Sequence, residues 1–241
     1  MRRILRSNRR RFRWKPLAVR LWRGWVKPFL AVVLVLGPIK SSVADWYDVP
    51  TGSMKPTILE GDRIVVNKLA YDLKVPFTDW RLAWWGGPDR GDVVVCYSPE
   101  DGTRLVKRVI GLPGDRVEMR DNRLVINGQP AAYEALSAEI IGQIDSAQQP
   151  NHQFAVERIG GLTHPIMTTP AVQARRFMAP VTVPKDNYLM LGDNRDLSKD
   201  SRWFGFISRD HIAGRAFGVA FSLDRERWYM PRWQRFLRGL D

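Results

Sequence analysis

From residue 60 onward this chain is a succession of short runs rich in Val, Ile and aromatic residues, at 64–67, 93–97, 105–110, 116–119, 124–126, 154–158, 181–183, 188–191 and 213–221. Gly, Pro, Asp and Asn punctuate nearly every gap. Branched and aromatic side chains suit a pleated surface, and runs this short read as strands. Asn127-Gly128 directly follows one such run and favours a tight primed turn, so a hairpin is expected there. A short helix over 133–147 is the one departure. The expected fold is mainly β, an antiparallel β-sheet domain formed by 45–120 and 181–241. Residues 121–180 are poorer in apolar runs and richer in Gln, Ala and Pro, which predicts a smaller inserted β-rich subdomain.

The net charge of +13 over 241 residues suggests nucleic acid until its distribution is considered. Residues 1–44 hold twelve Lys or Arg and no acid, leaving 26 basic against 25 acidic residues in the rest. The basicity belongs to an arm at 1–25, whereas a nucleic-acid binder carries basic clusters on its folded face. No nucleic-acid partner is expected.

After the arm comes an apolar run at 28–39 between Lys27 and Lys40. Twelve residues rise only about 18 Å as a helix, against a bilayer core of about 30 Å. Extended to 26–44 the segment reaches about 28 Å, with both lysines snorkelling toward the headgroups. Trp22, Trp25, Trp46 and Tyr47 then lie where interfacial aromatics belong. The expectation is one transmembrane helix at 26–44. Ser42-Val43-Ala44 also has the small-residue spacing of a secretory cleavage site, so a cleaved leader is the competing reading. In either case the arm stays cytoplasmic and everything after about residue 45 lies outside, by the positive-inside rule.

The single cysteine, Cys96, lies within an apolar run and packs as a small core residue. Three scattered histidines (His152, His164, His211) and one cysteine make no metal-binding spacing, so neither a metal nor an organic cofactor is expected.

Three polar segments interrupt the apolar pattern. In the first, Ser53 sits between Gly52 and Met54 with Pro50 and Pro56 on either side, a bent backbone suited to displaying a nucleophile. In the second, Lys107 and Arg108 lie inside a strand and point to opposite faces, so one is expected toward the core and the other toward solvent. A lysine packed among apolar groups such as Val106 and Met54 is pushed toward its neutral form, which can take a proton from a nearby hydroxyl. The third runs from Leu191 through Gly192-Asp193-Asn194 to Phe206 and alternates acids with arginines.

Taken together, four ordered pieces closely resemble the bacterial type I signal peptidases, membrane-bound Ser/Lys proteases that remove signal peptides from exported proteins. They are Pro50-Thr-Gly-Ser-Met-Lys-Pro-Thr57, Arg90-Gly-Asp-Val-Val-Val95, Lys107-Arg-Val-Ile-Gly-Leu-Pro-Gly-Asp115 and Gly192-Asp-Asn-Arg-Asp-Leu-Ser-Lys-Asp-Ser-Arg202. The resemblance implies a catalytic sheet of the signal-peptidase type, with Ser53 as nucleophile, Lys107 as general base and Ser198 orienting the lysine amine. It implies an oxyanion hole from the Ser53 N–H and the hydroxyl of Thr51, where relatives often carry serine. Asp193, Asn194, Asp200 and Arg202 match residues that support the loop of Ser198. Tyr47, Val49, Met54, Ile58, Ile64, Val95 and Val106 match the substrate cleft, whose shallow apolar pockets accept small side chains one and three positions before the cut. The implied partners are the signal peptides of exported preproteins and membrane lipid, and the implied place is the outer side of the bacterial inner membrane.

No Gly-x-Ser-x-Gly or Ser-x-x-Lys motif occurs, which leaves hydrolase-elbow and β-lactamase chemistry without an anchor. Two other readings use the same residues: a processing peptidase dedicated to one exported substrate, and a non-catalytic, membrane-tethered binding domain. Two aromatic segments, Trp80, Trp84 and Trp85 between Pro76 and Pro88, and Trp228, Tyr229, Trp233 and Phe236 among arginines near the end, are expected either to pack on the sheet or to rest on the membrane surface.

Overall fold

The computed structural model describes residues 20–78 and 80–240. Of the arm expected at 1–25, residues 1–19 lie outside the described residues. A π-helical turn at Trp22–Val26 leads into helix α1 (Lys27–Ser42). The helix ends two residues before the expected boundary because Ala44 already belongs to a strand. Among the described residues no helix is long and apolar enough to cross a membrane.

The main sheet contains β1 (Ala44–Asp48), β2 (Asp62–Asn67), β3 (Val93–Tyr97), β4 (Arg104–Gly111), β5 (Asn187–Leu191), β6 (Ile207–Ser208) and β7 (Ile212–Asp224). Their order across the sheet is β1-β2-β7-β3-β4-β5-β6, and every pairing is antiparallel. The long β7 therefore lies inside the sheet, although it comes late in the chain. Short pieces at Met230–Pro231 and Arg238–Gly239 add to it.

A second region continues from β4. Strand Arg116–Arg120 pairs with Met178–Thr182 and with Arg123–Ile126, so its sheet begins at Arg116, before the expected 121. Asn127 and Gly128 both take positive φ in the turn between Arg123–Ile126 and Gln129–Pro130, as the primed hairpin requires. Ala132–Ala135, Gln153–Ile159 and Leu162–Thr168 form a three-stranded sheet. The helix expected over 133–147 is thus mostly absent: its start is a strand paired with Ala155–Arg158, and one helical turn remains at Ala138–Ile141. The Tyr133 hydroxyl explains this, since it donates to Glu157 (2.7 Å) and accepts from the Leu124 N–H (2.9 Å), fixing the segment on the sheet.

Two cores result. Val49, Met54, Ile58, Ile64, Val95 and Val219 pack beneath the Ser53 loop. Ile110, Leu189 and Leu191 of the main sheet pack with Val117, Leu124 and Ile126 of the second region. β4 is covered on both faces by this arrangement. Lys107 and Arg108 are accordingly both buried, 2% and 3% exposed, which corrects the expectation that one of them faces solvent.

Candidate active site

Ser53 lies on the loop joining β1 to β2, and Lys107 on β4. The Nζ of Lys107 is 2.7 Å from the Ser53 Oγ and 3.1 Å from the carbonyl oxygen of Val106. Among the described residues it forms no ion pair. Burial is the largest influence on this amine and pushes its pKa below the ordinary lysine value, while Asp200, Cys96 and Asp193 pull the other way. A neutral amine at this distance can accept the serine proton.

The third polar segment closes over the same loop. The Asn194 N–H donates to the Ser53 carbonyl (3.1 Å) and its Nδ2 donates to the Gly52 carbonyl (3.0 Å), so two hydrogen bonds fix the backbone on either side of the nucleophile. A Cβ at Gly192 would collide with the Ser198 Oγ and the Ser53 carbonyl, so only glycine permits this approach. Ser198 is buried and its hydroxyl has no hydrogen-bond partner among the described residues, leaving it free to turn toward an amine. Asp200 accepts from the Gly192 N–H (3.0 Å) and pairs with Arg202 through two bonds of 2.8 and 2.7 Å.

Thr51 is exposed at the mouth, beside Ser53, whose backbone N–H has no acceptor among the described residues. Of the seven residues expected to line the cleft, all belong to one cluster, but Val49, Met54, Ile58, Ile64 and Val95 are buried and form its floor. Only Tyr47 and Val106 reach the surface. They stand on two free edges: β1 pairs only with β2 among the described residues, and Arg104–Lys107 of β4 pairs only with β3. The Arg104 guanidinium lies 4.1 Å from the Tyr47 ring, so these edges face each other across the site.

A buried ionic chain behind the site was not foreseen. Arg108 holds Asp193 through bonds of 2.9 and 2.8 Å, and Arg195 holds Glu157 through bonds of 2.8 and 2.6 Å. His164 lies between them, 3.4 Å from Glu157 and 3.9 Å from Asp193. Burial, aided by the Arg108 charge, pushes the His164 pKa down to about 4. Burial alone would raise the Asp193 and Glu157 carboxyls; the paired arginines outweigh it and hold both below the usual range. Period-2 patterning offered a signal, because Glu157 shares a strand face with Ile159, and His164 with Ile166. A carboxylate and an imidazole on apolar faces need buried partners.

The profile described as "Signal peptidase, peptidase S26" matches residues 22–221. Signal peptidase I of Pseudomonas fluorescens is 36% identical over 222 residues, covering 86% of this chain and 74% of its own. The Pseudomonas aeruginosa protein of the same name is 36% identical over 223 residues with the same coverage. A crystal structure of a signal peptidase I from Enterococcus faecalis is 32% identical, covers 53% of this chain and 95% of its own, and has a TM-score of 0.33.

Proposed function

The chain belongs to the signal peptidase family, peptidase S26, and from that premise we propose that it cuts exported preproteins with Ser53 as nucleophile and Lys107 as general base. Family membership makes it a signal-peptide-processing hydrolase. The observation that carries the residue roles is the Lys107 amine, buried 2.7 Å from a serine hydroxyl without a counter-ion among the described residues. Burial favours the neutral form of an amine so placed, the form that can accept a proton.

The Ser53 Oγ attacks the scissile carbonyl as Lys107 takes its proton. The Ser53 N–H and the Thr51 hydroxyl stabilise the oxyanion, a contribution of about 3 to 4 kcal/mol per donor in comparable sites. Collapse of the tetrahedral species expels the new N-terminus, which Lys107 protonates, and leaves the signal half esterified to Ser53. A water deprotonated by Lys107 then hydrolyses the ester. Ser198 orients the amine. Asp200, Arg202, Asp193 and Asn194 act by holding the Gly192–Ser198 turn against the nucleophile loop.

The free edges of β1 and β4 hold the signal half as an added strand, with main-chain hydrogen bonds supplying affinity. With the floor filled by Met54, Ile58 and Val95, only shallow depressions remain, which favours small side chains one and three positions before the cut. α1 leaves Phe29, Leu30, Val32, Val33, Leu34 and Leu36 exposed, an apolar surface that a bilayer would cover. Together with the basic arm before it, this surface supports a catalytic domain on the outer side of the inner membrane.

Cleavage of several preproteins in detergent, with products read by mass spectrometry, tests the proposal. Cuts after Ala-x-Ala-type sites that vanish in both Ser53→Ala and Lys107→Ala are expected. Wild-type chain that leaves every preprotein intact would overturn it.

A further inference from the structure

The edges of β1 and β4 flank the nucleophile on one side. On another lies Gly52, against which the Lys55 and Glu60 side chains pack as an ion pair of 2.7 Å; a Cβ on Gly52 would lie 3.0 Å from the Lys55 Cε. Beyond that pair opens a cleft of about 470 Å³ between residues 142–149 of the second region and 224–234 near the chain end. Its volume falls in the range of sites that hold small molecules and peptide segments, roughly 300 to 1,000 Å³.

The lining is mostly polar: Ser146, Gln148, Gln149 and Gln234 present hydroxyl and amide groups. Two ion pairs, Lys55–Glu60 and Asp224–Arg232 (3.2 Å), stand in the wall beside Asp145, Glu226 and Arg227, and Met230 and Trp233 add apolar surface. Such a wall suits a hydrophilic, extended chain and is a poor match for the apolar core of a signal peptide. The two walls are firmly joined. Arg235 is buried, bonds Asp62 and the Thr57 carbonyl (3.0 Å) of the nucleophile loop, and reaches Gln143 of the opposite wall (2.5 Å). The cleft is therefore held in fixed relation to Ser53.

We propose that this cleft is the subsite for the leaving side of the substrate, receiving the polar residues that follow the cut while the signal half occupies the β1–β4 edges. The assignment rests on the peptidase reading above. It makes the first residues of the released protein a determinant of efficiency, recognised by the polar groups of the cleft wall.

Two measurements on the full chain in detergent test it. The first compares kcat/KM for two peptides with one signal half, one ending a single residue past the cut and the other carrying five polar residues there. Wild type should prefer the longer by about tenfold, the equivalent of about 1.4 kcal/mol, and Ser146→Trp should abolish that preference while cutting the shorter peptide as before. Equal rates for both peptides in wild type, or an unchanged preference in the variant, would overturn the subsite. The second uses Ser53→Ala chain and a peptide with a benzophenone side chain four residues past the cut, its cross-links mapped by mass spectrometry. Cross-links to 142–149 or 224–234 are expected; cross-links elsewhere, or none, count against it. Wild type that cuts neither peptide, with cross-links still in the cleft, would sink the peptidase reading and leave the cleft as a peptide site.

Discussion

Lys107 and Arg108 are neighbours on one strand, both buried, and the two faces of β4 treat them oppositely. Arg108 meets a carboxylate with two matched hydrogen bonds, and Asp193 is in turn near His164. Lys107 meets a hydroxyl and a carbonyl but, among the described residues, no carboxylate within ion-pair reach. One face satisfies a charge that arginine cannot give up; the other withholds a partner from a cation that can lose its proton. Stability and chemistry are thus separated by a single residue step.

The largest consequence concerns activity. Lys107→Arg and Ser53→Ala should each lower kcat by about 10³-fold or more, as removal of a serine-protease nucleophile or base does; Lys107→Arg that retained activity would break the contrast at its root. On stability the order should invert. Asp193→Asn strands Arg108 and should cost about 3–5 kcal/mol, read by chemical denaturation, whereas Lys107→Met removes an unpaired amine and should raise Tm by about 2–4 °C. The double variant Arg108→Met with Asp193→Leu should be more stable than Asp193→Asn alone, since it leaves no charge stranded.

The pH profile sharpens the same comparison. Activity should rise with pH through the lowered pKa of Lys107, because only the neutral amine accepts a proton. Ser198→Ala should lower kcat by about 10–100-fold with KM little changed, within the range for a group assisting proton transfer. His164 works in the opposite face. Its folded pKa of about 4 lies below the unfolded value of about 6.5, so between these the unfolded chain binds more protons. Stability should therefore fall as pH drops from about 6.5 toward 4, and His164→Gln should flatten that part of the curve. The smallest effect concerns the surface. Trp80, Trp84 and Trp85 are all exposed, and their joint replacement by Ser should reduce vesicle binding while leaving cleavage of a soluble peptide unchanged; equal binding would free that segment of any membrane role.

The nine expected strands all appear, because short runs of branched and aromatic residues bounded by turn residues suit a pleated, largely buried surface. The approach of Ser53 to Lys107 was implied by family resemblance, since nothing in local pattern ties residues 54 positions apart. β1 was obscured by its position, as Trp46 and Tyr47 read equally well as the flank of a membrane segment. The strand Ala132–Ala135 was missed because alanine and glutamate carry helical propensity, which the Tyr133 hydrogen bonds override. The C-terminal aromatic segment divides in two: Trp228 is 96% exposed, while Arg235, in the same run of alternating arginines, is wholly buried against Asp62. Which arginine is buried depends on a partner far away in sequence.

That last pairing bears on when the enzyme becomes an enzyme. Arg235 and Asp62 are separated by 173 residues, and β7, which braces β2 and β3, begins only at Ile212. Contacts of such long range close late in folding, because the loop entropy must be met before they form. A nascent chain emerging N-terminus first presents Ser53 early and Lys107 next, yet lacks the strand between β2 and β3 that sets them in one sheet. On the proposed roles the centre is completed only when β7 and Arg235 have joined the sheet, so a chain still being synthesised stays inert until residues 212–235 have emerged.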